Sequence, residues 1–489
     1  MNQTKKQQDW LKLKAYQHFS PKLKPIQKGY IRDYVQNDQK IITHRFYPFI
    51  HVTINQKRFK RETKDGVRSK TRTAKTKKRE IFYANHLDAQ VFAYYSHLIN
   101  SELDLIYKCD LLLHNSVIAY RGIEHNKHRN KCNIDFAHEV FSFIKKSQSN
   151  ELVALCFDVD SFFDSLDHKI LKEVWSRILK LEKLPLDHYK VFKAITKYSY
   201  VDFFDIKQAS PTLQKIKKIA YLRNKSIDRL LTKDEFRENI QNKGKIKVNR
   251  IFKGIPQGSP ISATLSNLYL LEFDKKISSL LANVDGLYRR YSDDIIVICP
   301  GQHAEELKEI IMTSIDNDFQ LKIQPSKTQQ IHFRRQSIHE DWIVENQEKI
   351  KNAVLSYLGF DFDGKHTRIR QKGLSSYYRT IKRLIRRKAF YARCAKRKNE
   401  GNTAKKLLDE WIYVSKIYRT KSHLGARRKR IGNKVYWGNY ISYAYTAAKI
   451  MNEKAIRKQV RNHWKIIETM IRRMEKKYDL PRSPSRKKK

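Results

Sequence analysis

The chain has 489 residues, of which 40% are hydrophobic and 11% aromatic, so it can bury a sizeable core and is not disordered over most of its length. Lysine and arginine number 101 against 50 aspartates and glutamates, which gives a formal charge of +51. Because so many positive side chains repel one another in a folded protein, the composition predicts a polyanionic partner. Nucleic acid is the first candidate, and an anionic membrane surface is the second.

The positive charge is concentrated at the two ends of the chain. Residues 1–80 hold 22 basic and 6 acidic side chains, residues 81–370 hold 43 and 37, and residues 371–489 hold 36 and 7. A nearly balanced middle between two basic flanks predicts a chemical core whose ends bind nucleic acid, and argues against a uniformly charged ribosomal-type protein.

Targeting and redox signals point to the cytoplasm. No stretch approaches 18 uninterrupted apolar residues, and the first ten residues lack the apolar segment of a signal peptide. The cysteines form no CxxC pair, which argues against a zinc ribbon or a disulfide framework; they are Cys109, Cys132, Cys156, Cys299 and Cys394. We therefore expect a cytoplasmic protein with no membrane span.

The first half of the chain alternates between basic and apolar patterns. Residues 57–79 are dense in lysine and arginine, which predicts a solvated hairpin or loop. Helical spacing begins at Asn85 and returns at 136–146 and 168–181, whereas 153–158 (VALCFD) has the pattern of a buried strand. Residues 183–250 are polar and mixed, which predicts helices and connecting loops.

The second half moves from mixed structure to helices. Residues 259–273 predict a buried helix opened by a Gly-Pro turn, and 286–300 a strand hairpin with residues 292–294 at its tip. After residue 371 the pattern predicts helices alone, at 375–396, 403–422, 436–452 and 454–478, and then a disordered basic tail over 481–489.

Carboxylates follow two of the predicted strands. Asp293 and Asp294 lie in a turn before the apolar run IIVIC, and Asp158 ends the strand VALCFD. A pair of aspartates in a turn is most often only a turn, but carboxylates on neighbouring strands can hold two metal ions about 3.5–4 Å apart for phosphoryl transfer. By contrast, we interpret Asp160, Asp164 and Asp167 as helix caps and surface charges.

A third element is the loop KGIPQGSP at residues 253–260. Its glycines would let the backbone approach a ligand closely, and its proline and serine would open a helix whose free N–H groups favour phosphate. A structural turn is the simpler interpretation of this loop alone. Its occurrence in order with the two carboxylate segments makes a purely structural role harder to accept.

Taken in order, these segments resemble the palm motifs of reverse transcriptases. The resemblance covers roughly residues 75–370 and rests on FDVDSFFDSLDH, GIPQGSPISATLSNLYL, YSDDIIVI, QPSKTQ and LSYLGFDF. It implies an α+β right-hand polymerase, with fingers and an antiparallel palm sheet flanked by helices, followed by an all-α basic thumb-like domain. The implied domains are a basic extension and fingers start at 1–80, fingers and palm at 81–370, the helical domain at 371–480 and the tail at 481–489.

The resemblance also implies site residues and cofactors. Asp158, Asp293 and Asp294 would bind two Mg²⁺ ions, which Mn²⁺ could replace, with the carbonyl of Val159 as a further ligand. Lys327 would contact the pyrophosphate, and Arg79 would bind the triphosphate. Gln257 and Gly258 would contact the incoming nucleotide, and Phe163 would exclude a ribose hydroxyl. The primer would be bound by Tyr357, Leu358 and Gly359. The partners would be an RNA template, a DNA product and deoxynucleoside triphosphates.

The subgroup is indicated by segments outside these motifs. KKREIFYANHLDAQVFAYYSHLI, SVIAYR and FAHEVFSFI look most similar to bacterial unknown-group and abortive-infection reverse transcriptases, which implies antiphage defence with a structured non-coding RNA. A group II intron-type reverse transcriptase with maturase function is the alternative enzyme, and a non-catalytic RNA-binding scaffold is the alternative of another class. The sequence leaves open the oligomeric state and the primer, including a tyrosine hydroxyl as primer.

Overall fold

A computed structural model describes the chain except for residues 1–8, 61–62, 65–66, 69–70, 72, 127–128, 215–227, 335–339, 343–348, 352–353, 399–437 and 484–489. The predicted helix at 403–422 and most of the basic tail lie outside the described residues. The chain divides into two compact units. Unit 1 comprises residues 1–121, 156–297 and 302–328, and unit 2 comprises residues 122–155, 298–301 and 329–489.

Helices make up much of both units. In chain order they are α1 (Lys28–Val35), α2 (Asp38–Ile42), α3 (His86–Cys109), α4 (Leu111–Ser116), α5 (Asn133–Lys146), α6 (Phe162–Ser165), α7 (His168–Ile178), α8 (Leu186–Thr196), α9 (Phe203–Ala209), α10 (Pro211–Gln214), α11 (Lys233–Phe236), α12 (Ser262–Tyr269), α13 (Leu271–Ala282), α14 (Ala304–Thr313), α15 (Gln371–Lys398), α16 (Tyr440–Ile450), α17 (Lys454–Val460) and α18 (His463–Tyr478). None of the described helices is long and apolar enough to cross a membrane.

The strands are β1 (Phe49–Lys60), β2 (Thr63–Lys64), β3 (Val67–Arg68), β4 (Thr73–Tyr83), β5 (Glu124–Asn126), β6 (Arg129–Asn130), β7 (Glu151–Asp158), β8 (Ser199–Asp202), β9 (Lys247–Val248), β10 (Leu287–Tyr291), β11 (Asp294–Pro300), β12 (Gln329–Arg334), β13 (Glu340–Trp342), β14 (Lys349–Lys351), β15 (Leu355–Tyr357), β16 (Phe360–Phe362) and β17 (Thr367–Ile369). The three larger sheets have the orders β4-β1-β8-β9, β10-β11-β7-β12-β13-β14 and β15-β16-β17. The α+β class expected from the sequence is confirmed.

The basic segment near residue 60 belongs to a long hairpin. Strands β1 and β4 pair antiparallel, with Ile50 opposite Tyr83 and Lys60 opposite Thr73. The predicted hairpin is therefore confirmed, but its strands extend well into the charged sequence. Strand β8 adds in parallel to β1, with Phe49 opposite Tyr200. The sequence predicts only helices and loops around β8, because a four-residue strand gives little periodicity.

The elements that carry the predicted carboxylates form as expected, with one difference. The strand ending at Asp158 is confirmed as β7, and the hairpin around residue 292 as β10 and β11. The predicted helix over 259–273 is instead two helices, α12 and α13, which meet at Leu270. The apolar pattern continues across this break because both helices are buried on their inner faces.

Among the described residues after 370, the regular elements are all helices, and the predicted helix over 454–478 is two helices, α17 and α18. Helices α15 and α18 bury a shared apolar cluster that includes Ile381, Ile385, Ile467 and Ile471. Lysines and arginines between these positions, such as those at 382–383 and 386–387, are exposed. An apolar stripe on one face and charge on the other is the pattern of a helix packed against a neighbour and facing solvent.

Candidate active site

The first carboxylate of the site lies where strand β7 ends. Asp158 accepts a hydrogen bond at its backbone carbonyl from the N–H of Gln324 (2.8 Å), and the N–H of Asp160 donates to the carbonyl of Lys322 (2.8 Å). These bonds form a bridge around Val159 and Ile323 without using the carbonyl of Val159. The strand end is thus fixed on both sides of Val159.

The second and third carboxylates lie in the turn between β10 and β11. Ser292 in this turn is buried and has a left-handed backbone, with φ +61°. The backbone carbonyl of Asp293 accepts a hydrogen bond from the N–H of Val159 (3.1 Å). This bond joins the two segments directly, so the half-buried Asp293 lies next to Asp158, while Asp294 is exposed.

The carboxylates of Asp158 and Asp293 and the ammonium of Lys327 act on one another electrostatically. Burial raises the pKa of Asp293, and the negative charge of Asp158 raises it further, while Lys327 acts in the opposite direction. The Lys327 ammonium also contacts the Asp158 carboxylate directly. The charge of Asp294 acts on Cys156 instead. Burial raises the pKa of the Cys156 thiol to about 12, and the negative charge of Asp294 contributes to this increase.

The loop at 253–260 is held by close backbone contacts. Gly254 has φ +84°, and a Cβ atom there would lie 2.7 Å from the carbonyl oxygen of Asp164. Gly258 has φ +115°, and a Cβ atom there would lie 2.6 Å from the carbonyl oxygen of Phe82. Both positions therefore require glycine for space as well as for backbone conformation.

Through these contacts the loop brings together several predicted site residues. The N–H of Ile255 donates to the carbonyl of Phe163 (2.8 Å), and the carbonyl of Gln257 accepts from the N–H of Phe82 (2.8 Å). Phe163 and Gln257 are both half-buried. Arg79 lies on the same strand as Phe82 and is exposed.

The predicted primer-binding residues form a tight hairpin in unit 2. Tyr357 ends β15 and is buried, and β16 begins at Phe360. Leu358 and Gly359 make the turn with φ +44° and φ +92°. Positive φ at both central residues is the signature of a two-residue hairpin turn, which explains the glycine.

The donor set fits a divalent cation. Two oxygen-rich carboxylates, Asp158 and Asp293, are adjacent and repel each other, and hard oxygen ligands of this kind are those that Mg²⁺ prefers. No group of three acidic, histidine or cysteine side chains in the described part of the chain is close enough to form a metal site by itself. The structure thus brings Asp158 and Asp293 together as the two side chains that would hold such an ion, and it does not gather Asp294 with them as a third ligand.

Several residues around the site carried no signal in the sequence. Arg290 and Asp274 form a buried ion pair next to the Ser292 turn, and Tyr120 donates a hydrogen bond from its hydroxyl to the Ser292 hydroxyl (3.2 Å). His168 contacts the carbonyl of Gly254 through its ring nitrogen (2.8 Å). In the sequence, Arg289 and Arg290 both look like surface charges. The structure shows that Arg290 is buried.

A family model described as reverse transcriptase (RNA-dependent DNA polymerase) matches residues 176–362. The chain contains a reverse transcriptase domain. Domains of this family belong to RNA-directed DNA polymerases, which are nucleotidyltransferases. The match includes the 253–260 loop, Asp293, Asp294 and Lys327, and it begins after Asp158. None of the curated proteins is similar enough to this chain to match it.

Solved structures of telomerases are similar to the chain at a low level. Apo telomerase from Candida tropicalis is 13% identical over 56% of this chain and 46% of that chain, with a TM-score of 0.33. Telomerase from Candida albicans in complex with a TWJ fragment of telomeric RNA is 11% identical over 92% of this chain and 67% of that chain, with a TM-score of 0.39. The chain spans about half the length of the first of these.

Proposed function

We propose that the protein is an RNA-directed DNA polymerase that adds deoxynucleotides to a primer along an RNA template. The observation that supports this most is the pairing of Asp158 with Asp293 beside Lys327, with the loop at 253–260 next to the same segment. Fingers and palm would comprise roughly residues 1–370, and the helical domain at 371–480 would act as a thumb.

The proposed chemistry is phosphoryl transfer assisted by Mg²⁺. When bound, the ions would activate the primer hydroxyl and neutralise the leaving pyrophosphate. Asp158, Asp293, Asp294 and the carbonyl of Val159 would hold them, and Mn²⁺ could replace Mg²⁺. The Lys327 ammonium, already in contact with Asp158, would add positive charge where the pyrophosphate leaves.

The remaining residues would position the substrates. Arg79 would bind the triphosphate, and Gln257 and Gly258 the incoming nucleotide. The half-buried ring of Phe163 would exclude a ribose 2′-hydroxyl, since its main chain is fixed by the bond from Ile255. In unit 2, the hairpin containing Tyr357, Leu358 and Gly359 would contact the primer.

The basic surfaces of unit 2 would supply affinity for nucleic acid. Lysines and arginines on the exposed faces of α15 and α18 would contact phosphates without reading sequence. Unit 2 also has a cavity of about 790 Å³, whose lining includes His366 and the charged residues Lys365, Arg368, Glu453, Lys454 and Lys458. The side chain of Gln459 exchanges two hydrogen bonds with the backbone of Ile369 (2.8 and 3.0 Å), which holds the wall of this cavity in place.

Primer extension tests the proposed activity. The purified chain should copy an RNA template in the presence of Mg²⁺ and deoxynucleotides, and the double variant Asp293→Ala, Asp294→Ala should not. Its RNA affinity should stay nearly the same, because removing two negative charges from a basic protein does not weaken its attraction to phosphate. A double variant that extends primers at a near wild-type rate would contradict the proposal. A wild-type chain that binds RNA but does not extend primers would favour the alternative of a non-catalytic RNA-binding scaffold.

We further propose a cytoplasmic role in bacterial antiphage defence, in which the enzyme copies an associated structured non-coding RNA. The support is the resemblance of the segments at 77–99, 116–121 and 136–144 to the defence-associated enzymes. Sequencing the nucleic acid that copurifies with the protein tests this proposal. One recurrent structured RNA with its complementary DNA is expected, whereas intron sequence would contradict it.

A further inference from the structure

An ion pair lies completely buried next to the proposed catalytic turn. Arg290 on β10 donates to both carboxylate oxygens of Asp274 on α13, at 2.7 and 2.5 Å, and neither side chain is exposed. The Tyr288 hydroxyl donates to the same carboxylate (2.6 Å). Removing two charges from water costs much free energy, and their mutual attraction often does no more than balance that cost. Such a pair is therefore expected to add little to the free energy of unfolding.

The guanidinium reaches beyond its partner into the turn. One of its terminal nitrogens donates to the backbone carbonyl of Ser292 (3.2 Å) and lies 3.4 Å from the side-chain oxygen of Asn267. The carbonyl of Arg290 accepts a bond from the N–H of Ile118 (3.1 Å). Arg290 is therefore fixed through both its backbone and its side chain.

Ser292 is the residue at which this support matters most. Its φ of +61° is in the left-handed region, which costs a non-glycine residue free energy unless its surroundings hold it there. Asp293 and Asp294 follow directly. The direction in which the chain leaves Ser292 thus sets where the carboxylate of Asp293 lies relative to Asp158.

We propose that Arg290, held by Asp274, is a positioning residue that fixes the Ser292 turn and thereby the placement of Asp293 against Asp158. This inference rests on the proposed function only in assigning a cation and a polymerase reaction to those carboxylates. Neither Arg290 nor Asp274 would touch the substrates.

The test uses the full-length chain, with Mn²⁺ alone as the probe of the carboxylate site and primer extension as a second readout. Arg290→Lys keeps the buried positive charge but removes the guanidinium group, which bonds Asp274 and the Ser292 carbonyl at the same time. Groups that orient metal ligands typically contribute about 10- to 100-fold in metal affinity or activity, so both should fall by that amount in this variant. The control is Leu281→Ala, which opens a cavity at a buried position of the same helix, seven residues or about two turns after Asp274.

Electron paramagnetic resonance of free Mn²⁺ separates a positioning role from a general loss of stability. In the expected result, Arg290→Lys weakens Mn²⁺ binding far more than Leu281→Ala does at the same loss of thermal stability, and RNA affinity is unchanged in both. Equal losses in the two variants at equal stability would overturn the proposal.

A second variant covers the case in which Arg290→Lys does not fold. The double variant Arg290→Met, Asp274→Leu replaces the pair by apolar side chains, a change that folded proteins often tolerate. It should remain folded and still lose Mn²⁺ affinity. Wild-type Mn²⁺ binding by the folded double variant, or failure of both variants to fold, would overturn the proposal.

The two readouts keep this inference separate from the proposed function. If the wild-type chain binds Mn²⁺ in a way that Arg290→Lys weakens, but makes no DNA, the polymerase proposal fails and the positioning role stands. If the wild-type chain makes DNA and Arg290→Lys makes it equally well with the same Mn²⁺ affinity, the positioning role fails alone.

Discussion

The carboxylate centre in unit 1 and the basic helices in unit 2 are built in different ways. Asp158 and Asp293 are placed at the ends of the neighbouring strands β7 and β11, where a backbone hydrogen bond joins Val159 to Asp293 and Ser292 has a left-handed backbone. Helices α15 and α18 instead repeat a simple pattern of apolar residues inside and basic residues outside. Chemistry requires one geometry, whereas attraction to phosphate is a sum over many similar contacts.

This difference predicts how each region responds to substitution. A single change at the carboxylate centre should have a large effect on synthesis and little effect on RNA affinity. A single change on the basic helices should have a small effect, and several such changes should add, because independent contacts contribute separately.

The largest effect is expected for Asp158→Asn. The change removes a negative ligand for the cation and the partner of Lys327, so DNA synthesis in a primer-extension assay should be lost. The matched control is Asp167→Asn in the same segment. Asp167 caps α7 by accepting from the N–H groups of Lys169 and Ile170, and asparagine caps equally well. Comparable losses in both variants would remove the distinction between the two aspartates.

A large effect is also expected for Gly258→Ala. The new Cβ atom would lie 2.6 Å from the Phe82 carbonyl oxygen, so the loop must move, and a displacement of about 1 Å near reacting groups can cost about 100-fold in rate. Gly29→Ala is the control, because it lies in α1 with nothing within 4 Å and alanine favours a helix. Unchanged single-turnover synthesis by the Gly258→Ala protein would show that the loop does not position a substrate.

A smaller effect on rate, but a change in selectivity, is expected for Phe163→Val. Removing the ring should reduce the preference for deoxynucleotides over ribonucleotides about tenfold or more, since steric exclusion of one group has roughly that value. Incorporation of 2′,3′-dideoxynucleotides serves as the control, because they carry no hydroxyl for the ring to meet. If the preference is the same in the variant, another side chain excludes the ribose hydroxyl.

The smallest effect concerns stability in unit 1 away from the carboxylates. Burial lowers the pKa of His86 to about 4, with Lys22 contributing, and neither ring nitrogen has a hydrogen-bond partner among the described residues. The unfolded chain binds a proton near pH 6.5 and the folded chain does not, so stability should fall as the pH drops from about 6.5 towards 4.

His86→Phe removes this titration. Between pH 7 and pH 5 the variant should lose about 1–2 kcal/mol less of its free energy of unfolding than the wild type, by denaturant titration at both pH values. DNA synthesis at pH 7 should be unchanged. An identical pH dependence in the two proteins would show that other groups cause the acid sensitivity.

The sequence could predict the elements of the site but not the contacts that hold them. Asp158 and the pair at 293–294 were predictable because each follows or precedes an apolar strand. The Arg290–Asp274 pair could not be predicted, because its residues are 16 apart on different elements. The sequence also does not show that these two charged side chains are buried. The strand at 199–202 was missed for a related reason: it becomes a strand only by pairing with β1.

The division of labour between the two regions is tested most directly by comparing Asp293→Asn with a quadruple variant of α15. The quadruple variant replaces the exposed Lys382, Arg383, Arg386 and Arg387 by glutamine. RNA affinity is measured as a function of salt for both proteins, and the rate of DNA synthesis is measured at saturating RNA.

Asp293→Asn should bind RNA like the wild type and make no DNA. The quadruple variant should bind more weakly, and its log–log salt slope should be smaller by about 0.7–0.9 for each phosphate that α15 no longer neutralises. It should reach the wild-type rate once saturated. An α15 variant with wild-type affinity and salt slope, or an Asp293→Asn protein that loses RNA binding to the same degree, would contradict the account.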